Sequence, residues 1–264
     1  ENLQDHMGAS IYYKSKVPTL NQTLGSFWGK LNVGINYVLR RKGPLSLSVN
    51  QGGGFVKAQS SSDFPDTQIY FSPVSYTRAP SGTRPLMSPD PFPGFLLGFN
   101  PCKPTSRGFV RIKSKDPLAA PEMYGNYLST EQDRREWGEA VRCARNILNQ
   151  PAFDQYNAGE LSPGPEVESD EEVLKWVAKD GETAYHPACT CKMGTDDMSV
   201  VDPESMKIHG VESLLVVDAS VMPYITNGNI YAPVMMLAEK AADLILGNSL
   251  LPPEDVEYYR TALE

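Results

Sequence analysis

The chain has 264 residues, of which 41% are hydrophobic and 21% charged, and it carries a net charge of −8. That length buries a core in one large domain or two modest ones, and the ordinary composition excludes disordered, collagen-like and coiled-coil classes. The acidic balance argues against nucleic acid, whose phosphates are held by Lys and Arg, so a small-molecule substrate is expected.

Residues 10–14, SIYYK, form a short aromatic, β-prone stretch. Residues 26–42 read as a helix, with Phe27, Leu31, Tyr37, Val38 and Leu39 apolar and Arg40, Arg41, Lys42, Gly43 and Pro44 as a stop signal. Gly29 and Gly34 weaken that helix. Three successive glycines then lead into Phe55 and Val56. A phosphate-cradling loop needs a helix start after the glycines, whereas a strand-like segment follows, so close backbone approach to a neighbour or ligand is expected.

Residues 66–76 alternate in the strand manner, and 95–99 and 107–114 follow as further strands. Between them, residues 79–94 are rich in proline, which cannot donate to a ladder, so a long functional loop is predicted there. Thr130 with Asp133 opens a helix in capping-box fashion, and Trp137, Val141, Ala144 and Leu148 share one of its faces. Ser169 with Glu172 opens another that buries Val173, Trp176 and Val177. A last helix is predicted from about Val234 to Leu246, after Pro233 and before Gly247. Strands grouped before helices, without βαβ alternation, indicate an α+β fold.

Chemistry concentrates in residues 183–194, TAYHPACTCKMG, which hold one of only three histidines and two of the four cysteines. His186, Cys189 and Cys191 are borderline or soft metal ligands, but the H-x-x-C-x-C spacing lacks the paired cysteines of structural zinc sites. A redox dithiol needs C-x-x-C geometry, which is missing. His186 as a buried, satisfied imidazole and the cysteines as core residues are the plain alternatives. Against them stand Pro187, which favours an extended conformation at His186, and a second polar constellation some forty residues on. There residues 214–220, LLVVDAS, read as a buried strand with a polar exit at Asp218, Ala219 and Ser220, and Asn229 precedes the last helix. Asn229 serves there either as an ordinary turn and cap residue or as a donor toward developing negative charge.

The segments AYHPACTCKMG (184–194), SVVDPESMKIHGVESLLVVDASVMP (199–223) and GNIYAPVMMLAEKAADLILG (228–247) resemble the C-terminal signature of the glucose-methanol-choline (GMC) oxidoreductases, in their choline dehydrogenase-like branch. The opening ENLQDH resembles the segment that follows that family's second signature. The resemblance covers essentially the whole chain. It implies FAD-dependent oxidation of an alcohol, choline among the substrates considered, with His186 as base and Asn229 as its partner. It also implies that Asp218, Ala219, Asn229 and Ile230 lie along the flavin, and that Cys189 and Cys191 are reduced and bind no metal.

The implied architecture is a GMC-type substrate-binding domain, an antiparallel sheet covered by helices, plus the segment that completes an FAD-binding domain. Residues 1–10 are assigned to the end of an FAD-domain segment, 11–180 to the substrate domain and 181–264 to the returning catalytic segment. The family's G-x-G-x-x-G turn is missing and no methionine opens the chain, so a fragment is expected, which needs its N-terminal half for FAD binding and turnover. Gln51 stands where choline-type relatives carry a glutamate, and Tyr231 where a second Asn is common; both are assigned to the substrate, together with Phe71 and Tyr76. Phe92 and Phe95 are further candidates for an aromatic cage around a cation. No apolar run is long enough for a membrane helix, and the few cysteines fit a reducing setting, so a cytoplasmic protein is expected, at most peripheral to the inner membrane. The electron acceptor is not legible.

Overall fold

The computed structural model describes residues 1–77 and 88–257. In chain order the elements are β1 (Met7–Ser15), α1 (Leu20–Gly25), α2 (Phe27–Arg40), β2 (Gly52–Val56), β3 (Thr67–Ser72), β4 (Tyr76–Thr77), β5 (Ser88–Pro89) and β6 (Gly94–Pro101). There follow β7 (Phe109–Arg111), β8 (Glu122–Tyr124), α3 (Glu131–Leu148), β9 (Asn157–Ser162), α4 (Asp170–Asp180), β10 (Glu182–Thr183) and α5 (Tyr231–Leu246). The main sheet runs β10-β1-β6-β3-β2, with β9 also pairing β1, and all of these pairings are antiparallel. This is the α+β class expected. β1 runs unbroken from Met7 to Ser15.

Side chains alternate across a strand, so each strand offers one face to α3 and α4 and the other away from them. Ala9, Ile11 and Tyr13 of β1 and Phe95, Leu97 and Phe99 of β6 face the helices and pack with Trp137, Ala140, Val141, Ala144 and Leu148 of α3. Those α3 positions are the predicted stripe. Thr130 caps α3 by accepting from the Asp133 N–H, but the Asp133 carboxylate does not close a capping box. It turns instead to Thr105 and Ser106 and ties the segment before β7 to the helix. At α4, Ser169 and Glu172 do form the reciprocal box. Arg145 of α3 crosses to Glu160 of β9 at 2.8 Å, and Tyr13 donates to the same carboxylate.

Two sequence expectations need correction. α5 starts at Tyr231, three residues earlier than predicted, because Pro233 in the first turn forfeits only an N–H that has no helical acceptor. Residues 214–217 are not a strand: Leu215 makes a single bridge with Lys207, no ladder among the described residues pairs the run, and Leu214 is exposed. Leu215, Val216 and Val217 pack instead on a small cluster of Val201, Met206, Val221 and Ala241. Most of the predicted Pro-rich loop lies outside the described residues; its end contributes β5, which pairs β4. α2 forms as predicted and stops at Arg41 in the left-handed conformation, yet Phe27, Trp28, Leu31, Ile35, Val38 and Leu39 are all exposed on it.

Candidate active site

The pairing of β10 with β1 sets Thr183 opposite Met7 and continues the chain antiparallel to residues 2–6. Ala184 donates its N–H to the His6 carbonyl, and Gln4 and Ala188 exchange both backbone bonds, so residues 184–188 lie alongside the ENLQDH segment. Within this ribbon the backbone bulges at Tyr185, whose φ of 62° is rare for a side chain of that size. The bulge releases the His186 ring from the ladder toward the sheet's open face.

The opening segment then fixes His186 from several directions. An Asp5 oxygen accepts from the His186 backbone N–H at 3.0 Å, and the other accepts from Tyr127 and Thr183 hydroxyls. Asn2 donates to the Cys189 carbonyl at 3.0 Å. Gln4, itself buried, accepts from the Ile225 N–H at 3.2 Å and so pins the loop that leads to Asn229. His6 Nδ1 lies 3.0 Å from His186 Nδ1, with the two rings edge to face at 85°.

This contact has only one self-consistent proton arrangement for neutral rings. His6 Nε2 sits 2.8 Å from the Cys102 carbonyl oxygen, which can only accept, so His6 carries its proton on Nε2. Its Nδ1 is then an acceptor, and His186 must donate from Nδ1. The His186 Nε2 lone pair is left facing outward, 3.4 Å from the Asn229 amide nitrogen. Asn229 is oriented in turn: Gln68 of β3 donates to its Oδ1 at 2.9 Å, which presents the NH₂ group to His186. The ordinary capping role is not taken, since Ile230 is the cap position of α5 and no side chain caps that helix.

Burial pushes the His186 pKa below the usual 6.5, partly offset by the Asp5 charge. Burial likewise depresses His6, with the Cys102 carbonyl opposing it and His186 adding to it. A neutral imidazole whose Nε2 lone pair meets an amide donor can take a proton from a hydroxyl, and the amide can hold the resulting oxygen.

The structure thus brings His186 and Asn229 together. Asp218 caps a short turn at Ala219–Val221 by accepting from Ser220 at 2.7 Å, and Ala219 accepts from the Cys189 N–H, so both border the His186 segment. The Ile230 side chain is buried with Ala188, Cys189, Met222 and Ile225, leaving only its backbone to border the site. Tyr231 is exposed at the start of α5. Gln51 continues β2, donating to the Phe71 carbonyl at 2.9 Å. Tyr76 packs edge-on against Tyr12, which lies on the face of β1 opposite Ile11 and Tyr13.

Phe71 and Phe95, in contrast, lie on the helix side of the sheet, packed with each other and with Phe153. Their positions in β3 and β6 put them out of phase with Gln68, so neither joins the site. Among the described residues His186, Cys189 and Cys191 do not form a cluster able to hold a metal ion. Cys189 is fully buried, and burial pushes its thiol up to about 11.

Sequence reasoning missed Gln4, Asp5, His6 and Gln68. The signal for the first three was available: three consecutive strongly polar residues, one of them a rare histidine, stand directly before an apolar strand.

Residues 104–238 match the family model of the GMC oxidoreductases, over the C-terminal domain. The chain belongs to the GMC oxidoreductase family. It is 46% identical to the oxygen-dependent choline dehydrogenase of Staphylococcus saprophyticus, an alignment covering 98% of the chain and 46% of that relative. The corresponding Staphylococcus epidermidis protein is 47% identical, over 100% of the chain and 46% of that relative. This GMC chain therefore spans about half the length of the curated relatives it matches. Among solved structures it resembles pyridoxine 4-oxidase from Mesorbium loti, with a TM-score of 0.73 and 26% identity, covering 94% of the chain and 44% of that structure. Formate oxidase from Aspergillus oryzae superimposes with a TM-score of 0.80 at 23% identity, over 94% of the chain and 47% of that structure, and supports the fold. Among the described residues no helix is long and apolar enough to cross a membrane.

Proposed function

We propose that this GMC chain supplies the acid–base and substrate-positioning part of an FAD-dependent alcohol oxidation, with His186 as base. The observation that carries the reading is the relay Cys102 carbonyl, His6, His186, which leaves a lone pair on His186 Nε2 facing Asn229. An alcohol oxygen placed between them donates its proton to Nε2 and accepts from the Asn229 amide. As the proton leaves, negative charge develops on the oxygen where the amide N–H already points. The Nδ1–H bond to His6 stabilises the imidazolium that forms, because a charged donor strengthens it.

Three features of the chain fit a flavin. The α5 N-terminus carries no side-chain cap, so its first N–H groups and the positive end of the helix dipole stay available to an electron-rich ring edge. Asp218 and Asn229 are both exposed beside it. The backbone of Ala219 and Ile230 completes that margin, so these four residues are assigned to hold the flavin. When bound, FAD supplies the acceptor for the hydride that leaves the alcohol carbon. The remaining half of the FAD site is assigned to an N-terminal partner segment, in keeping with the chain's share of its relatives' length. The product is an aldehyde or ketone, and the names of the Staphylococcus relatives support an alcohol donor.

The test is His186→Ala in the full-length protein that carries this chain. Turnover is expected to fall by about two to four orders of magnitude while the flavin spectrum is retained. Near wild-type turnover with bound flavin sinks the assignment.

A further inference from the structure

The hydrogen bonds that run through His186 form one chain, from Gln68 to Asn229, His186, His6 and the Cys102 carbonyl. Both ends are anchored on the ladder of β3 and β6: Gln68 stands opposite Asn100, and the Cys102 N–H donates to the Asp66 carbonyl at 2.8 Å. A carbonyl oxygen only accepts, so with both rings neutral the Cys102 end dictates the direction of every other bond. His6 donates to Cys102, His186 to His6, and Asn229 to His186. The Asn229 oxygen is then left facing residue 68, which has to donate as well. The Gln68 NH₂ meets that demand; a side chain that only accepts does not.

The loop that carries Asn229 is held in place by other contacts. The Ile225 N–H donates to Gln4, and Asn227 donates to the Pro65 carbonyl at 3.2 Å. Phe55, opposite Gln68 on β2, closes on the loop backbone, since a Cβ on Gly228 would fall 2.9 Å from its Cζ. These contacts leave open only the rotation of the Asn229 amide about its last side-chain bond, which exchanges oxygen and NH₂ with little change of shape. The bond from Gln68, at 2.9 Å, removes that freedom.

We propose that Gln68 is a positioning residue of this site: acting through Asn229, it keeps the amide NH₂ toward His186 Nε2 and the alcohol oxygen, and so keeps the base's lone pair in use. The proposal rests on the reading of His186 as base. Gln68→Glu tests it by changing an amide to a carboxylate of the same shape. The carboxylate only accepts, so Asn229 turns its NH₂ to residue 68 and its oxygen to His186, where only an N–H fits. His6 cannot reverse in answer, because its Nε2 would then set a lone pair against the Cys102 carbonyl. The site is satisfied only with His186 doubly protonated.

The experiment uses the flavin-loaded full-length enzyme. In Gln68→Glu the high-pH plateau of kcat is expected to fall about a hundredfold, as when a donor to a developing oxyanion is lost. Its acid limb is expected to move up by about one pH unit or more. Gln68→Met removes the donor without imposing the reversed amide, so kcat should fall only about fivefold with the limb in place. A packing role predicts the opposite order, because Glu matches Gln in shape better than Met does. With Asn229→Ala in place, neither variant should lower the plateau further. Nitrogen-15 NMR of histidine-labelled protein gives a readout apart from turnover: the proton of neutral His186 on Nδ1, and a His186 titration that moves up in Gln68→Glu alone. A Gln68→Glu enzyme as active as Gln68→Met, an unmoved His186 titration, or losses that persist in full beside Asn229→Ala overturn the proposal. If Gln68→Glu does not retain flavin, Gln68→Met and its cycle with Asn229→Ala decide. Near wild-type turnover of His186→Ala refutes the base itself, whereas lost turnover there beside an indifferent residue 68 refutes only the positioning role.

Discussion

The relay through His6 carries a quantitative consequence that can be worked from its two bonds. His6→Leu removes the acceptor 3.0 Å from His186 Nδ1 and leaves the imidazole otherwise in place, since Asp5 still holds its backbone. In the resting site the lost bond joins two neutral groups and contributes about 0.5–1.5 kcal/mol. Once His186 has taken the substrate proton the same bond is charge-assisted and contributes about 1.5–3 kcal/mol. The difference, about 1–1.5 kcal/mol, is stabilisation present only after proton transfer, and 1.4 kcal/mol corresponds to about a tenfold rate change. kcat is therefore expected to fall about tenfold with KM little changed. The acid limb of the kcat profile should also move to lower pH, because the acceptor that favoured the charged ring is gone. His6→Asn, which keeps an oxygen near the Nδ1 position, should recover most of the loss and return the limb. Steady-state kinetics across pH on the flavin-loaded full-length enzyme decides it. A His6→Leu enzyme with unchanged kcat and an unmoved acid limb refutes the relay, and one that Asn fails to rescue reduces His6 to packing.

Two further outcomes follow from neighbouring geometry. Because burial holds the His186 pKa below 6.5, the base is neutral above that midpoint and turnover falls as pH drops through it. Asp5 raises the His186 pKa, so Asp5→Asn, which keeps an acceptor for the backbone N–H, should shift the acid limb of kcat to lower pH; a shift to higher pH contradicts the assigned electrostatics. Away from the site, Arg145 and Glu160 pair at 2.8 Å with side chains only 17% and 7% exposed, so Arg145→Met leaves a buried carboxylate without its cation. A loss of about 3–5 kcal/mol in urea unfolding is expected, and a loss below about 1 kcal/mol would show that Tyr13 and the Gly164 N–H satisfy Glu160 alone.

How much of this was legible in the sequence depends on the range of the interaction that fixes each feature. The helices at 131–148 and 170–180 were readable because caps and apolar spacing act within a few residues, and Thr130, Ser169 and the stripe from Trp137 to Leu148 all serve as predicted. Residues 214–217 misled for the same reason in reverse: Leu, Val and Val favour a strand locally, but a strand needs a neighbour, and a single bridge to Lys207 is all the described chain supplies. His186 and Asn229 were singled out through the family resemblance, while the side chains that contact them, His6 and Gln68, lie 180 and 161 positions away in the chain. No local pattern reports such a pairing. Phe71 shows the limit most plainly. Its aromatic character fitted a cation cage, yet the phase of β3 is set by its pairing with β6, which turns Phe71 toward the helices and Tyr70 to the opposite face. A one-residue change of phase thus replaces a hydrophobic ring with a phenol on the face away from the helices. The consequence runs from register to surface: the sheet pairing, rather than residue type, decides which aromatic of β3 joins the helix-side core and which lies on the other face.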